Sequence, residues 1–385
     1  MNKTTSIIIT AALAIFSMFF GAGNLYLPLA TGVASGQNFW WGLGGFISTA
    51  VLLPLIGLIT IILFNGDYEA FFNRVGRAGG FLLILFCMFI IGPLVAMPRI
   101  VTLTHGFLTP FIPEISLPLF SALFCGLTFL AIYKESKVMN ILAYIISPAL
   151  LISLGIIIIK GILSPSAFEI TNNSTMTTLL SEAKAGYRTL DLLGSIFFGF
   201  LTLTLLKKSV DGDDDYSLKK LAVIAMKAGL IACSLIGILY VGIAFLGAFH
   251  GQEFINLNAA ERFIAVCIKV MGSHGGFVIA AAASLACYST LMALAVVLAE
   301  FIEDKVTGHR VSYITSLILV LTATGIISCY GLTTIMNSSG IYIDTLYPAV
   351  ITLTFCNLAY KLFGFKFVKI PVFATLVVSI YCNFF

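Results

Sequence analysis

"FFGAGNLYLPLA" runs from Phe19 to Ala30, inside the first long apolar run of the chain. The run from Ser6 onward is apolar enough to enter a bilayer, yet Gly21, Gly23, Asn24 and Pro28 follow in quick succession. Glycine costs about 1 kcal/mol relative to alanine in a helix interior. Pro28 lacks an N–H, and its ring opposes the carbonyl of Asn24 four residues earlier. Together these residues predict a short unwound stretch around Phe20–Asn24. Backbone groups loosened at membrane depth must be satisfied by protein, water or ligand. The half-helix that starts there offers N–H groups and a positive dipole end to an anion, and the half that ends there offers carbonyls to a cation. A zwitterionic amino acid carries one group for each end, and a small metal cation suits the carbonyls. The competing reading is a plain glycine packing face between helices. Asn24 and Pro28 favour the broken helix.

The surrounding composition agrees with a membrane setting. Of 385 residues, 59% are hydrophobic and only 10% charged, against about 25% charged in a soluble chain. Spans are predicted near Ser6–Ala30, Trp40–Phe64, Gly80–Leu108, Leu117–Tyr133, Met139–Leu163, Leu190–Leu206, Leu221–Phe249, Gly276–Ile302, Ser312–Tyr330, Ile341–Phe363 and Ile370–Phe385. That makes an all-α polytopic protein of about eleven transmembrane helices, read as one transmembrane domain over residues 1–385. Continuous rather than alternating apolar runs exclude a β-barrel. Gly331–Gly340, polar and Gly/Ser-containing, reads as a turn. The N-terminal run is too long for a signal peptide's apolar region and reads as retained.

With the N-terminus inside, fourteen Lys and Arg residues fall in inside segments and five in outside ones. That bias orients the chain N-in, and an odd number of spans puts the C-terminus outside. The net charge of +4 forms no basic stripe for nucleic acid. Eight scattered cysteines show no metal or disulfide pattern. Asp211–Asp215, "DGDDD", lacks the glycine and closing glutamate of a calcium loop and reads as solvated loop. Ser164–Thr189 and Gly251–Gly275 form the longer outside loops, and the second contains a stretch suited to an amphipathic surface helix.

Residues 6–163 and 190–363 each hold five spans, and the first span of each set is glycine-interrupted. Such a pair is the best sequence-level pointer to a transporter's binding site. In the second set the interruption is Gly199, flanked by Phe197, Phe198 and Phe200 in "SIFFGFLTL". It reads either as a second loosened turn lined by aromatics or as ordinary packing. Ser289 and Thr290, with the Ala286 carbonyl near them on one helix, offer oxygen ligands of the kind hard cations prefer. Alternatively these hydroxyls bond back to their own helix. Arg99, Asp191 and Asp344 sit at similar depth toward the outer side. Ionisable residues within spans usually face a cavity or a partner, so a pair of Arg99 with Asp344 or Asp191 is expected to gate an outer path. Pro93 and Pro98 predict kinks in the third span.

"FFGAGNLYLP", "IGPLVAMPR", "DLLGSIFFG", "SLACYSTLMALAVVLAEF" and "LYPAVI", in that order along nearly the whole chain, resemble the bacterial branched-chain amino acid–cation symporters. The resemblance implies the five-plus-five inverted-repeat fold of the leucine-transporter type, with broken first and sixth helices and an extra C-terminal helix near 370–385. It implies sodium-coupled uptake of leucine, isoleucine and valine at a bacterial cytoplasmic membrane. By the same resemblance, Gly21, Ala22, Gly23 and Asn24 meet the substrate's polar groups, and Phe197, Phe198 and Gly199 supply the facing broken turn, beside Phe200. Ala286, Ser289 and Thr290, with the Phe20 carbonyl, hold sodium. No further cofactor and no obligatory protein partner is implied. The chain departs from the family in having about eleven spans rather than twelve, Ile100-Val101 after Arg99, no acidic residue near "THGF", and Asp344. A proton-coupled carrier of another small solute, with Asp344 or Asp191 as proton carrier, is the alternative. An enzyme is not indicated, since the four histidines are scattered and no catalytic motif has its context.

Overall fold

The computed structural model describes residues 3–21, 23–112, 114–133, 147–165, 168, 173–209 and 217–384. Among them there is no strand. The helices are α1 (Lys3–Phe19), α2 (Gly23–Ser35), α3 (Phe39–Ile47), α4 (Leu53–Leu63), α5 (Tyr68–Phe72), α6 (Arg77–Ile91), α7 (Ala96–Leu108), α8 (Leu117–Ile132), α9 (Ser147–Ile162), α10 (Thr175–Tyr187), α11 (Asp191–Ser209), α12 (Leu218–His250), α13 (Ala259–Phe301), α14 (Tyr313–Ser328), α15 (Leu332–Phe363) and α16 (Lys369–Phe384). Among the described residues, five helical stretches are long and apolar enough to cross a membrane: Gly23–Leu63, Arg77–Leu108, Lys219–His250, Ala259–Val306 and Leu332–Phe363. The acidic run 211–215 and residues 139–146 of the predicted fifth span lie outside the described residues.

The first span breaks where its glycines fall. α1 ends at Phe19 and α2 begins at Gly23. Between them the Gly21 N–H turns back onto the Phe19 carbonyl at 2.8 Å, and the Asn24 N–H bonds the Gly21 carbonyl at 3.1 Å. The glycines are needed for close approach. A Cβ at Gly21 would lie 2.9 Å from Thr290 Oγ1, and one at Gly23 would lie 3.1 Å from Arg99 Nη2.

Other boundaries differ from the sequence expectation. Gly199 does not break its helix, because residues 195–203 lie within unbroken α11. A Cβ at Gly199 would overlap the Ile61 side chain and lie 3.1 Å from Leu58. This glycine therefore lets α11 press against α4. Gly199→Ala is expected to cost about 1–3 kcal/mol by overpacking, read as a lowered thermal unfolding midpoint in detergent. The interruption comes earlier, at residues 188–190, between α10 and α11. Leu190 there takes a left-handed φ of 68°, a conformation that costs a non-glycine residue of order 1–3 kcal/mol and persists only where packing imposes it.

The polar stretch read as an outside loop before Asp191 contains α10. Ser174 caps it by accepting from the Thr177 N–H at 3.1 Å, and Thr49 Oγ1 donates to its Ala183 carbonyl at 2.7 Å. The third span is broken outright at residues 92–95, which contain Pro93. Pro98 sits in the first turn of α7, where its missing N–H costs no helix bond. The expected turn over residues 331–340 lies earlier, at residues 329–331, and ends on Gly331 with a φ of 81°, so α15 starts at Leu332. The second long loop does hold a helix, starting at Ala259 with an Asn258–Glu261 capping box and bent at Gly272. Beyond that bend, α13 packs through buried small residues such as Ala280, Ala283, Ala286, Ala293 and Ala299. Such residues let helix backbones come close where lipid supplies no hydrophobic drive.

Candidate substrate and cation site

Three chain breaks converge on one cavity of about 40 Å³. Gly21, Gly23 and Asn24 line it from the first break, Thr189, Leu190 and Asp191 from the break before α11, and Ile91, Ala96 and Arg99 from the break before α7. Thr290 and Leu294 of α13 close the remaining side. A water needs roughly 10–15 Å³ by the same measure, so the space suits small groups unless its walls move. Phe19, Phe198 and Ile100 supply apolar wall.

Asn24 ties two breaks together. Its Nδ2 donates to the Phe19 carbonyl at 2.8 Å and to Asp191 Oδ2 at 2.9 Å. The Tyr240 hydroxyl donates to the same Oδ2 at 3.1 Å. Arg99 reaches across the cavity roof, with Nη1 donating to the Arg188 carbonyl at 2.9 Å and Nη2 to the Thr189 carbonyl at 3.2 Å. These backbone carbonyls are free to accept because the helix is interrupted there.

Oxygen atoms cluster beside the cavity, where α1 ends against α13. Ser289 Oγ bonds the Ala286 carbonyl at 2.8 Å and the Ser17 carbonyl at 3.0 Å. Thr290 Oγ1 bonds the Ala286 carbonyl at 3.2 Å and the Met18 carbonyl at 3.3 Å. Back-bonding and cross-helix contact therefore coexist. Ser17 Oγ adds a donor bond to Ser289 Oγ at 3.1 Å. The set is all oxygen, which fits a hard cation. Sequence reasoning missed Ser17 and Met18, because any residue supplies a carbonyl and composition carries no sign of it. The Phe20 carbonyl, expected as a ligand, lies two residues further along, and the Phe20 ring stacks on Phe16 at 5.2 Å. No His/Cys/Asp/Glu cluster suited to a metal occurs among the described residues.

Of the three phenylalanines around Gly199, Phe198 alone faces the cavity. It shares a helix face with Asp191 and Gly194. Phe197 points the other way, packed on Tyr68 and Phe72, and Gly199 faces α4. Phe200 packs on Tyr68 and lines a separate cavity of about 380 Å³ with Glu300, Asp304 and Lys305. There Lys305 Nζ donates to Glu69 Oε1 at 2.7 Å. Ala22 lies outside the described residues.

The chain matches, over residues 3–384, the family described as "Branched-chain amino acid transport protein". It belongs to this family. Its similar relatives include the branched-chain amino acid permease BraB of Bacillus subtilis (strain 168), 29% identical over 91% of this chain and 79% of that protein. BrnQ of the same organism, also a branched-chain amino acid permease, is 28% identical over 94% of this chain and 83% of that protein. Among solved structures, the inward-facing conformation of Mhp1 superposes with a TM-score of 0.64 at 11% identity, covering 98% of this chain and 90% of that one. A sodium-coupled sialic acid symporter in its outward-open state gives 0.57 at 16% identity, covering 97% and 88%. These likenesses show the fold. Family and neighbours are transporters, not enzymes, and the chain is a polytopic membrane protein.

Within this family member the three charged residues divide differently from the expected gate. Arg99 pairs with neither aspartate. Asp344 takes Lys184 and Arg188 at 2.8 Å each and the Tyr187 hydroxyl at 2.6 Å. Tyr187 also stacks on Tyr347 at 5.3 Å. Arg188 thus faces Asp344 with its side chain and Arg99 with its carbonyl. The expected pair is replaced by a relay because α10 intervenes, in a segment read as loop.

Proposed function

We propose that this chain imports leucine, isoleucine and valine together with sodium, by alternating access around the cavity at the broken first span. The observation that carries the reading is the contact of Ser289 and Thr290 with the Ser17 and Met18 carbonyls. It sets an oxygen cage against a cavity with one apolar wall and two helix ends. The family and its branched-chain amino acid permeases support the substrate class. Gly21, Gly23 and Asn24 would face the amino acid's polar groups, and Phe198 its side chain. Sodium in the cage would order the end of α1 against α13 and so raise amino acid affinity.

The arrangement proposed for the membrane is eleven spans in a five-plus-five repeat with one extra helix, in a bacterial cytoplasmic membrane. The N-terminus would lie inside and the C-terminus outside. The break at residues 188–190 would make α10 and α11 the two halves of the sixth span. The Asp344 cluster would then close the outer side. Asp344→Asn is expected to loosen it, read as faster labelling of Phe198→Cys by an impermeant thiol reagent from outside, over the native cysteine background.

A second reading, proton coupling, draws on one observation. Among the described residues no cation lies within salt-bridge distance of Asp191, whereas Asp344 has two. Uptake of radiolabelled leucine into proteoliposomes tests both readings, under a sodium gradient or a proton gradient, with a panel of competing amino acids. Sodium-driven uptake competed by isoleucine and valine supports the first. Uptake driven by protons without sodium replaces it with the second.

A further inference from the structure

Two ionisable side chains reach the central cavity without pairing with each other. Arg99 is 4% exposed and Asp191 8%, and both line the cavity. Among the described residues, the Arg99 guanidinium meets two backbone carbonyls, forms no ion pair, and has no partner for its buried Nε–H. A guanidinium carries five N–H groups, so further donors remain for a ligand. Asp191 Oδ2 accepts from Asn24 and Tyr240, and the Thr189 hydroxyl also bonds this carboxylate; a carboxylate offers about four acceptor sites, so capacity remains for a ligand. Charges held inside a membrane protein are costly, and such residues mark substrate or ion paths.

The backbone places these charges at matching poles. Arg99 Nη2 lies where a Cβ of Gly23 would come within 3.1 Å, beside the first residue of α2, whose N–H end favours an anion. Asp191 is tied through Asn24 to the Phe19 carbonyl, the end of α1 that favours a cation. We infer that Arg99 binds the α-carboxylate and Asp191 the α-ammonium of the transported amino acid, as a side-chain clamp added to the helix ends. The clamp rests on the amino acid reading above. It assigns Arg99 and Asp191 to substrate recognition, where the sequence suggested an outer gate.

The test pairs each residue with a truncated ligand. Purified protein is assayed for binding of L-leucine in competition with 4-methylpentanoate, which lacks the amine, and 3-methylbutylamine, which lacks the carboxylate. The proteins are the wild type, Asp191→Asn and Arg99→Gln. Truncating one partner of a buried charged contact weakens binding steeply, so leucine should lose on the order of 30-fold or more in each variant. In Asp191→Asn, 4-methylpentanoate should bind as in the wild type. In Arg99→Gln, 3-methylbutylamine should do so. These unchanged affinities also show that the variants are folded. Equal weakening of leucine and both analogues in either variant overturns the clamp and makes that residue a positioning residue. So does an Asp191→Asn protein that binds leucine normally and loses only proton-driven uptake. Wild-type protein that binds no amino acid instead overturns the transport reading on which the clamp depends.

Discussion

With Ser289 and Thr290 both replaced by alanine, leucine uptake needs about tenfold more sodium and apparent leucine affinity falls. The two hydroxyls contact the last turn of α1 through the Ser17 and Met18 carbonyls. Each such bond contributes about 1 kcal/mol, and each hydroxyl is also a ligand that the proposed cation would lose. Together they should cost about tenfold or more in apparent sodium affinity, since 1.4 kcal/mol is tenfold. Alanine leaves the helix and its packing intact. If the hydroxyls served only to bond back to Ala286, the double variant would transport like the parent, with an unchanged sodium curve. Uptake measured across a sodium series in proteoliposomes separates the two outcomes.

Gly21→Val is expected to lower uptake by about tenfold or more while leaving the protein folded. A Cβ at Gly21 would meet Thr290 at 2.9 Å from Oγ1, 3.1 Å from Cγ2 and 3.2 Å from Cβ. Thr290 is β-branched and stiff at χ1, so it cannot swing clear cheaply. The end of α1 must move off α13, and the oxygen cage opens. Overpacking of this kind costs about 1–3 kcal/mol. Thr290→Ser removes Cγ2 and keeps the hydroxyl, so the pair Gly21→Val with Thr290→Ser should recover part of the uptake. A double-mutant cycle with no coupling between the two sites would place the Gly21 effect elsewhere.

The broken first helix was legible because its causes are local. Two glycines, Asn24 and Pro28 each weaken the same few residues, and the structure breaks there. The partner break was misplaced because its cause is not local. Leu190 is an ordinary helix former, buried here, and no neighbouring residue announces its left-handed φ. Gly199 shows the converse, since a glycine in an apolar run marks a break or a close helix contact equally well. Here Leu58 and Ile61 occupy the space its side chain would fill. The hydroxyl pair was legible as chemistry, but its partners were not, for Ser17 and Met18 act through backbone carbonyls. The salt links of Asp344 were hidden for a third reason. Lys184 and Arg188 lie on or beside α10, in a segment whose polar composition reads as loop. The apolar helices thus followed from hydropathy, α10 did not, and helix interruptions followed only where the chain itself carries the breaker.

The central claim is that cation and amino acid share the broken first span, so that each strengthens the other's binding. Thermodynamic linkage makes the effect reciprocal. The direct measurement is the equilibrium affinity of purified wild-type protein for leucine, with sodium varied at constant ionic strength. Leucine affinity should rise with sodium, and sodium affinity should rise by the same factor when leucine is present. Leucine affinity that does not change with sodium would contradict the account.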